Sequence, residues 1–296
     1  MISMQEETFD GPFPFAPHYH DMSGFAMHYV DEGQGEPVVM LHGDPTWGYL
    51  YRNFIPPLAA RARCIVPDLM GMGKSGVPPE PYPYRLRHHI AHLEMLLLAL
   101  DVRNMTLVLH DWGGPVGLGF AVRHPERIHR LVLMNTWAFA AWPGGPLPRL
   151  LNIIRSDRGE RFVLEKHGYL EPALLGTTFY PEHLTPTVLR AYHAPFPTPA
   201  SRLALLCWSR DIPLTAADPS YGDMQHIEHG LVQFNNRPVL LVWGMQDPVL
   251  PPAVLRQWQC LYPQAHTVKI ANASHFLQED TPEQVVSCIT RFLSES

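Results

Sequence analysis

The stretch Met105-Thr106-Leu107-Val108-Leu109-His110-Asp111-Trp112-Gly113-Gly114-Pro115 decides how this chain is read. A run from Met105 to Leu109 has the character of a buried strand, and the residues after it resemble a nucleophile elbow, the sharp turn by which a strand hands over to a helix. Such a turn projects one side chain at the C-terminal edge of the sheet and needs small residues after it, which Gly113 and Gly114 supply. The projecting residue here is Asp111. A carboxylate attacks an electrophilic carbon without first losing a proton, so Asp111 is expected to form an ester.

Outward from the elbow, further apolar runs occupy Val38–Leu41, Cys64–Val66, Thr106–Leu109, Arg130–Met134, Val239–Val242 and His266–Ile270. They are continuous rather than alternating, as in strands covered on both faces. Helical patterns fall between them at Leu86–Leu100, Pro115–His124, Ala253–Leu261 and Pro282–Leu293, several opening with proline, which the first helical turn tolerates. The predicted class is α/β, a mostly parallel sheet flanked by helices.

The segment from Met134 to Pro238 is too long for a simple connection. It begins with the Pro-, Gly- and aromatic-rich Trp137–Pro148 and then gives helical patterns at Leu150–Glu165, Thr185–Tyr192 and Arg202–Trp208. An inserted helical cap over residues 137–230 is expected, with the core formed by residues 1–136 and 231–296. The Pro-rich tracts Gly11–Pro17 and Pro78–Pro83 are expected to be irregular.

The 296 residues carry a net charge of -6 with 22 scattered basic residues, so no electrostatic footprint for nucleic acid or an anionic membrane is present. Met1–Asp10 is acidic and has no secretory pattern, and the apolar helix stretch Met95–Leu100 is far too short to span a bilayer, so a cytoplasmic enzyme is expected. Four dispersed cysteines form no metal-binding or disulfide pattern. The expected partners are a small apolar substrate and water, and the sequence sets no oligomeric state.

Two further residues complete a constellation. Asp247 and His275 each follow a predicted strand, and the order Asp111, Asp247, His275 reproduces the nucleophile, acid, base order of α/β-hydrolases. After the first strongly apolar strand, His42-Gly43-Asp44-Pro45 resembles the oxyanion loop of that fold, where the backbone N–H groups of Asp44 and Trp112 would receive a developing negative oxygen. Asp247 could otherwise be a turn residue before Pro248, and Gly43-Asp44-Pro45 an ordinary turn.

Other patterns mislead. Gly71-Met72-Gly73-Lys74-Ser75-Gly76 has dinucleotide-type spacing, but Asp68 stands where a phosphate loop needs its first glycine, and prolines follow where a helix should open. His88 and His92, one helical turn apart, lack a third metal ligand and are expected on a solvated face. No cofactor and no metal are expected.

Taken together, His42-Gly43-Asp44-Pro45-Thr46-Trp47 with Tyr51-Arg52, His110–Gly114, Trp243-Gly244-Met245-Gln246-Asp247, His275–Asp280 and Ala194-Pro195-Phe196-Pro197 resemble the haloalkane dehalogenases over nearly the whole chain. The resemblance implies in-line displacement of halide by Asp111, then hydrolysis of the alkyl ester by water activated by His275, with Asp247 orienting the imidazole and no cofactor. Halide would be a product. The Trp112 indole would hold it, with Trp137 as a second candidate. Asn135-Thr136-Trp137 occupies the place where some branches carry the acid, which leaves Asp247.

One position departs from the resemblance. Many members have asparagine where this chain has Asp44, and an ionised aspartate would repel halide. A branch with glutamate there takes a second tryptophan from the cap, a role open to Trp137, Trp142 or Trp208. Epoxide hydrolases share the elbow and use cap tyrosines, for which Tyr169, Tyr180 and Tyr192 are candidates. They usually carry glycine where Leu109 stands. β-Lactone decarboxylases of olefin biosynthesis are also similar, with the acid at the position of Asp247 and Arg210-Asp211-Ile212-Pro213-Leu214 compatible with that branch. A non-catalytic ligand receptor on the same fold is the reading from a different class, against which the intact nucleophile, acid and base argue.

Overall fold

The computed structural model describes residues 4, 8, 9, 11, 13–78 and 84–295. Most of Met1–Asp10, residue 12 of the first Pro-rich tract and residues 79–83 of the second lie outside the described residues. Eight strands, β1 (His18–Asp21), β2 (Ala26–Glu32), β3 (Pro37–Leu41), β4 (Arg63–Pro67), β5 (Met105–Asp111), β6 (Ile128–Thr136), β7 (Val239–Gly244) and β8 (His266–Ile270), form one sheet. Their order is β1-β2-β4-β3-β5-β6-β7-β8. Pairing is parallel from β4 to β8 and antiparallel at β1-β2-β4.

The six strands predicted from continuous apolar runs are all present, and all seven residues of β5 are buried. The edge hairpin β1–β2 was not predicted. Its His18-Tyr19-His20-Asp21 arm is mostly exposed and polar, so no apolar run marks it.

Helices α1 (Ile55–Ala59), α2 (Leu86–Ala99) and α3 (Gly113–Arg123) precede β6. Between β6 and β7 lie α4 (Arg149–Arg155), α5 (Leu170–Thr177), α6 (Pro186–His193), α7 (Leu203–Asp211) and α8 (Tyr221–Gly230), with a π-helical turn at Arg161–Glu165 and no strand among the described residues. α9 (Pro252–Leu261), α10 (Leu277–Asp280) and α11 (Pro282–Ser294) complete the chain. α3 packs on β3, β5 and β6, while α9 and α11 pack on β7. Among the described residues, no helix is long and apolar enough to cross a membrane.

The solvated face expected for His88 and His92 is corrected at His92, while His88 is half-buried. His89 and His92 are buried, His92 edge-on to Phe25 with 4.9 Å between ring centroids and His89 stacked on Trp208 at 3.7 Å. Burial, with His88 nearby, pushes the His92 imidazole down to about 4, so it packs as a neutral ring.

The glycine-spaced loop Gly71–Gly76 wraps around a carboxylate. Asp68, fully buried, accepts from Gly48 N–H at 2.7 Å, from Lys74 N–H at 2.7 Å and from the His28 ring at 2.8 Å. Gly73 has φ +56°, and a Cβ there would lie 2.3 Å from Asp68 Oδ2, so the glycine spacing is explained by this close approach. On its other side, Leu69 N–H donates 2.9 Å to His42 Nε2, and this fixes the loop after β3.

Burial would raise the Asp68 carboxyl, but His28, then His42 and Lys74 N–H, outweigh it and hold the group below its usual range. A depressed carboxylate contributes stability that is present above about pH 4 and lost as pH falls further. Asp68→Ala strands three buried donors and is expected to lower unfolding free energy by about 3–5 kcal/mol. Urea melts at pH 7 check the loss, and melts toward pH 3 should narrow the gap between variant and parent.

Candidate active site

Parallel strands β3 and β5 lie side by side, but the chain leaves them in opposite directions across the sheet, to β4 and to β6. A crevice forms at such a switch point, outside the C-terminal ends of the strands. Asp44 follows β3 there, and Asp111 ends β5.

Asp111 has φ +49°, an uncommon conformation for a non-glycine residue that costs of order 1–3 kcal/mol and persists where the surroundings over-determine it. Those surroundings are tight. A Cβ on Gly114 would lie 1.8 Å from Thr136 Oγ1, and one on Gly113 would lie 2.3 Å from the Leu41 carbonyl, so the two glycines read as small are required. Thr136 Oγ1 also donates 2.6 Å to the Asp111 carbonyl.

The sheet register slips between His110 and Asp111, where Asn135 of β6 has φ +33°. This bulge aims the Asn135 side chain across to β7. Its Nδ2 donates 2.7 Å to Asp247 Oδ2, and its Oδ1 accepts from Gly244 N–H at 2.8 Å. Asp247 Oδ1 accepts from Val249 and Leu250 N–H at 2.7 and 3.0 Å. The carboxylate is thereby fixed to receive His275 Nδ1–H at 2.8 Å on Oδ2.

His275 is held from behind as well. Its N–H donates to the Thr177 carbonyl at 3.0 Å, and its own carbonyl accepts from His110 Nε2–H at 2.8 Å. Burial and the neighbouring His275 push His110 down to about 3, so His110 serves as a neutral donor. His275 Nε2 faces Asp111 Oδ2 at 3.5 Å. Thus the structure brings Asp111, Asp247 and His275 together, as their order along the chain predicts.

Burial opposes charge on His275, but Asp247 and then Asp111 overcome it and push the imidazole up to about 10. Asp247 is depressed: burial would raise it, but His275 and the donors from Leu250 and Asn135 prevail. The imidazole lies between two acidic side chains, and both favour its charged form. Among the described residues the only hydrogen bond onto Asp111 Oδ1 comes from Asp44 N–H, at 2.9 Å. Of the two backbone donors predicted for an oxyanion, Asp44 N–H is thus found on Asp111, no hydrogen bond from Trp112 N–H to it is found among the described residues, and Oδ2 faces His275.

The cavity is about 290 Å³ and largely apolar, lined by Asp44, Asp111, Trp112, Trp137, Tyr169 and His275 among others. Trp112 meets Trp137 edge-on with centroids 4.9 Å apart, and Trp137 meets Trp142 edge-on at 5.2 Å. The Trp137 and Trp142 Nε1 atoms are buried without a hydrogen-bond partner among the described residues. Trp208 is placed differently from the pocket role open to it. It lies behind Trp112, with centroids 4.7 Å apart, and packs on His89.

Of the three candidate tyrosines, Tyr169 lines the cavity and donates 2.5 Å to Asp44 Oδ2. Tyr192 is committed to Glu279 at 2.5 Å, and Tyr180 OH accepts from Asn272. Ser209, which no motif marked, lines the cavity and donates 3.3 Å to the same Asp44 oxygen. Arg155 holds the end of α7 that carries Ser209 by donating to the carbonyls of Ser209, Arg210 and Ile212. Among the described residues no group of three or more His, Cys, Asp or Glu side chains is placed to hold a metal ion.

Comparison with known proteins agrees with this architecture. Residues 36–282 match the family model described as alpha/beta hydrolase fold. A cis-3-alkyl-4-alkyloxetan-2-one decarboxylase of Shewanella oneidensis is 38% identical over 97% of this chain and 91% of that protein. Haloalkane dehalogenase 2 of Mycobacterium tuberculosis is 30% identical over 94% of each chain. The crystal structure of a mutant of the haloalkane dehalogenase DatA from Agrobacterium tumefaciens superposes with a TM-score of 0.86 at 29% identity, covering 98% of this chain and all of the other. The chain belongs to the haloalkane dehalogenase family of the α/β-hydrolase fold.

Because the His275 imidazole is raised, the stability it contributes is fully present below pH 6.5 and lost as pH rises through about 10. Asp247→Asn removes the larger of its two carboxylate partners. Imidazole NMR titration should find the His275 transition well below that of the parent, and unfolding free energy should depend less on pH across the same window. An unmoved His275 transition would contradict the assignment of Asp247 as its main partner.

Proposed function

We propose that the protein opens a cis-3,4-dialkyl β-lactone on Asp111 and releases an alkene and carbon dioxide. The observation that carries this reading is the set of oxygen groups beside Asp111 on the wall of the apolar cavity: the carboxyl of Asp44 with the hydroxyls of Tyr169 and Ser209. A carboxyl donor, held in place by the two hydroxyls, matches a leaving oxygen basic enough to share its proton, whereas a halide is far too weak a base to do so. The end-to-end similarity to an oxetanone decarboxylase supports the same substrate class.

Asp111 Oδ2 attacks the ring carbon that bears the ring oxygen, and that C–O bond breaks. The ring oxygen departs as part of a carboxylate that remains on the substrate. The charged His275 and the Trp112 indole lie on the cavity wall to receive it. In the second step the bond to the carboxylate carbon supplies the electron pair of the new double bond, carbon dioxide leaves, and the bond to Asp111 breaks. The enzyme carboxylate is restored with no water consumed and no net proton. Inversion in the first step followed by anti elimination keeps the two alkyl groups cis.

Dehalogenation is the second reading, favoured by the buried Nε1 of Trp137, which has no partner among the described residues and sits on the ring next to Trp112. There the ester is hydrolysed by water at the Asp111 carbonyl carbon. His275 is suited to that step once the ester forms, because losing the Asp111 charge lowers the imidazole toward the range of a base. Opening of an epoxide by paired tyrosines finds less support, since only Tyr169 of the three candidates lines the cavity.

Single turnover in ¹⁸O-water separates the two chemistries. With a synthetic cis-3,4-dialkyl β-lactone, alkene should form while the Asp111 peptide stays unlabelled. With 1-bromobutane, any bromide release should place label in that peptide. Asp111→Asn should lower either activity by roughly a thousandfold. Bromide release with no alkene from the lactone would make dehalogenation the function.

A further inference from the structure

We propose that Asp44 carries a proton in the resting site and donates it through Oδ1 to the departing group, with Tyr169 and Ser209 as its positioning residues. The geometry sets which oxygen is the acid. Asp44 is 7% exposed, and its Oδ2 accepts from Tyr169 OH at 2.5 Å and from Ser209 Oγ at 3.3 Å. Its Oδ1 is buried in the cavity wall without a hydrogen-bond partner among the described residues. Ionised, that oxygen is a buried charge without a donor; protonated, it carries no charge and becomes a donor beside the cavity that a substrate oxygen can accept from by seating against it.

Charge counting points the same way. The Asp44 N–H already holds Asp111 Oδ1, so the two carboxyl groups are neighbours. No lysine or arginine lines the cavity among the described residues, and its one cation, His275, is shared by Asp247 and Asp111. Two carboxylates and one imidazolium leave a net negative site, and ionising Asp44 would add a third carboxylate with no new cation. Carboxyl groups this close resist a second ionisation.

The groups facing Asp44 are Asp111 from β5, His275 from the loop after β8, Tyr169 from the start of α5 and Ser209 from α7. Burial drives the Asp44 carboxyl well above the usual range and Asp111 adds to this, against the pull of Tyr169, Ser209 and His275. Burial and Asp44 raise the Tyr169 phenol too, so its proton stays on the phenol and is given to Oδ2 as a hydrogen bond. The second proton of the pair is left for Oδ1.

In lactone opening, the Asp44 proton passes to the carboxylate oxygen as the ring C–O bond breaks and returns to Asp44 as carbon dioxide leaves, so none is consumed. A neutral Asp44 also removes the objection raised by its sequence position. A carboxylic acid is a donor, as an asparagine amide is, and does not repel a leaving anion. Only the identity of the departing oxygen rests on the proposed lactone reading.

Infrared difference spectra of the parent minus Asp44→Asn, taken without substrate at pH 7, should contain the C=O band of a protonated carboxylic acid. A carboxylate band instead overturns the proposal. Lactone turnover supplies the second readout. It should fall as pH rises through Asp44 ionisation, and Asp44→Asn should lose about tenfold in rate but also lose that alkaline limb, with Asp44→Ala losing about a hundredfold. Tyr169→Phe removes a donor to the carboxylate and should move the limb to higher pH, which a merely structural defect would not do. Ser209→Ala gives the same shift in smaller measure if Tyr169→Phe fails to fold. A limb unchanged in Asp44→Asn would assign it to His275 and overturn the acid role. A protonated-acid band in a protein that never turns over the lactone would support the proton and refute the substrate.

Discussion

A single imidazole, His275, stands between the carboxylates of Asp247 and Asp111 in a cavity that no lysine or arginine lines among the described residues. The interaction depends on every element around it. Asp247 is fixed on four sides, by Asn135, by two backbone N–H groups and by the imidazole itself. Asn135 reaches Asp247 because β6 bulges next to the strained end of β5. The strain at Asp111 and the bulge at Asn135 are two consequences of one requirement, that the carboxylates approach the ring from opposite sides.

The helical segment between β6 and β7 is joined to this centre by polar bonds rather than by apolar contact alone. Thr177 of α5 accepts the His275 N–H, and Tyr169 donates to Asp44. Asp280 accepts the N–H groups of Phe179 and Tyr180, and Trp47 Nε1 donates to Ala191 of α6. Below them, Arg52 and Glu279 form a buried two-pronged ion pair that also takes the Tyr192 hydroxyl. Side chains from both segments are therefore held in one network that fixes the cavity wall.

Much of the sheet was legible because a strand buried on both faces must be apolar throughout, and β3, β5, β6 and β7 carry that signature. β1, exposed at the edge, carries none, and in β2, buried from Met27 to Val30, His28 interrupts the apolar run. α5 and α8 were missed for a related reason: they are short, contain Gly176 and Gly222, and α8 is too polar to mark an apolar stripe. The elbow, the acid and the base were readable from local motifs at strand ends. Ser209 was not, because its contact with Asp44 spans 165 residues of sequence and no spacing rule reaches across a fold. Asn135 was read only as the absence of an acid, yet it is the donor that positions Asp247.

The position of Asp44 marks where chemistry within one family can divide. Nucleophile, base and orienting acid form the same covalent ester whichever group departs, so they do not distinguish halide from a ring oxygen. The distinction falls on the groups that would meet the departing charge. An indole or amide N–H meets a large anion of low basicity adequately. A carboxylate that will soon lose carbon dioxide is more basic, and it is best met by a donor of similar acidity that can lend a proton and take it back. On the proposed reading an acid at Asp44 meets that need, and burial beside Asp111 favours its neutral form. Two hydroxyls from the inserted helices both engage Oδ2, which leaves Oδ1 as its oxygen without a hydrogen bond among the described residues. On that reading the leaving-group preference of this chain rests on contacts between the loop after β3 and the inserted segment, and the elbow takes no part in it.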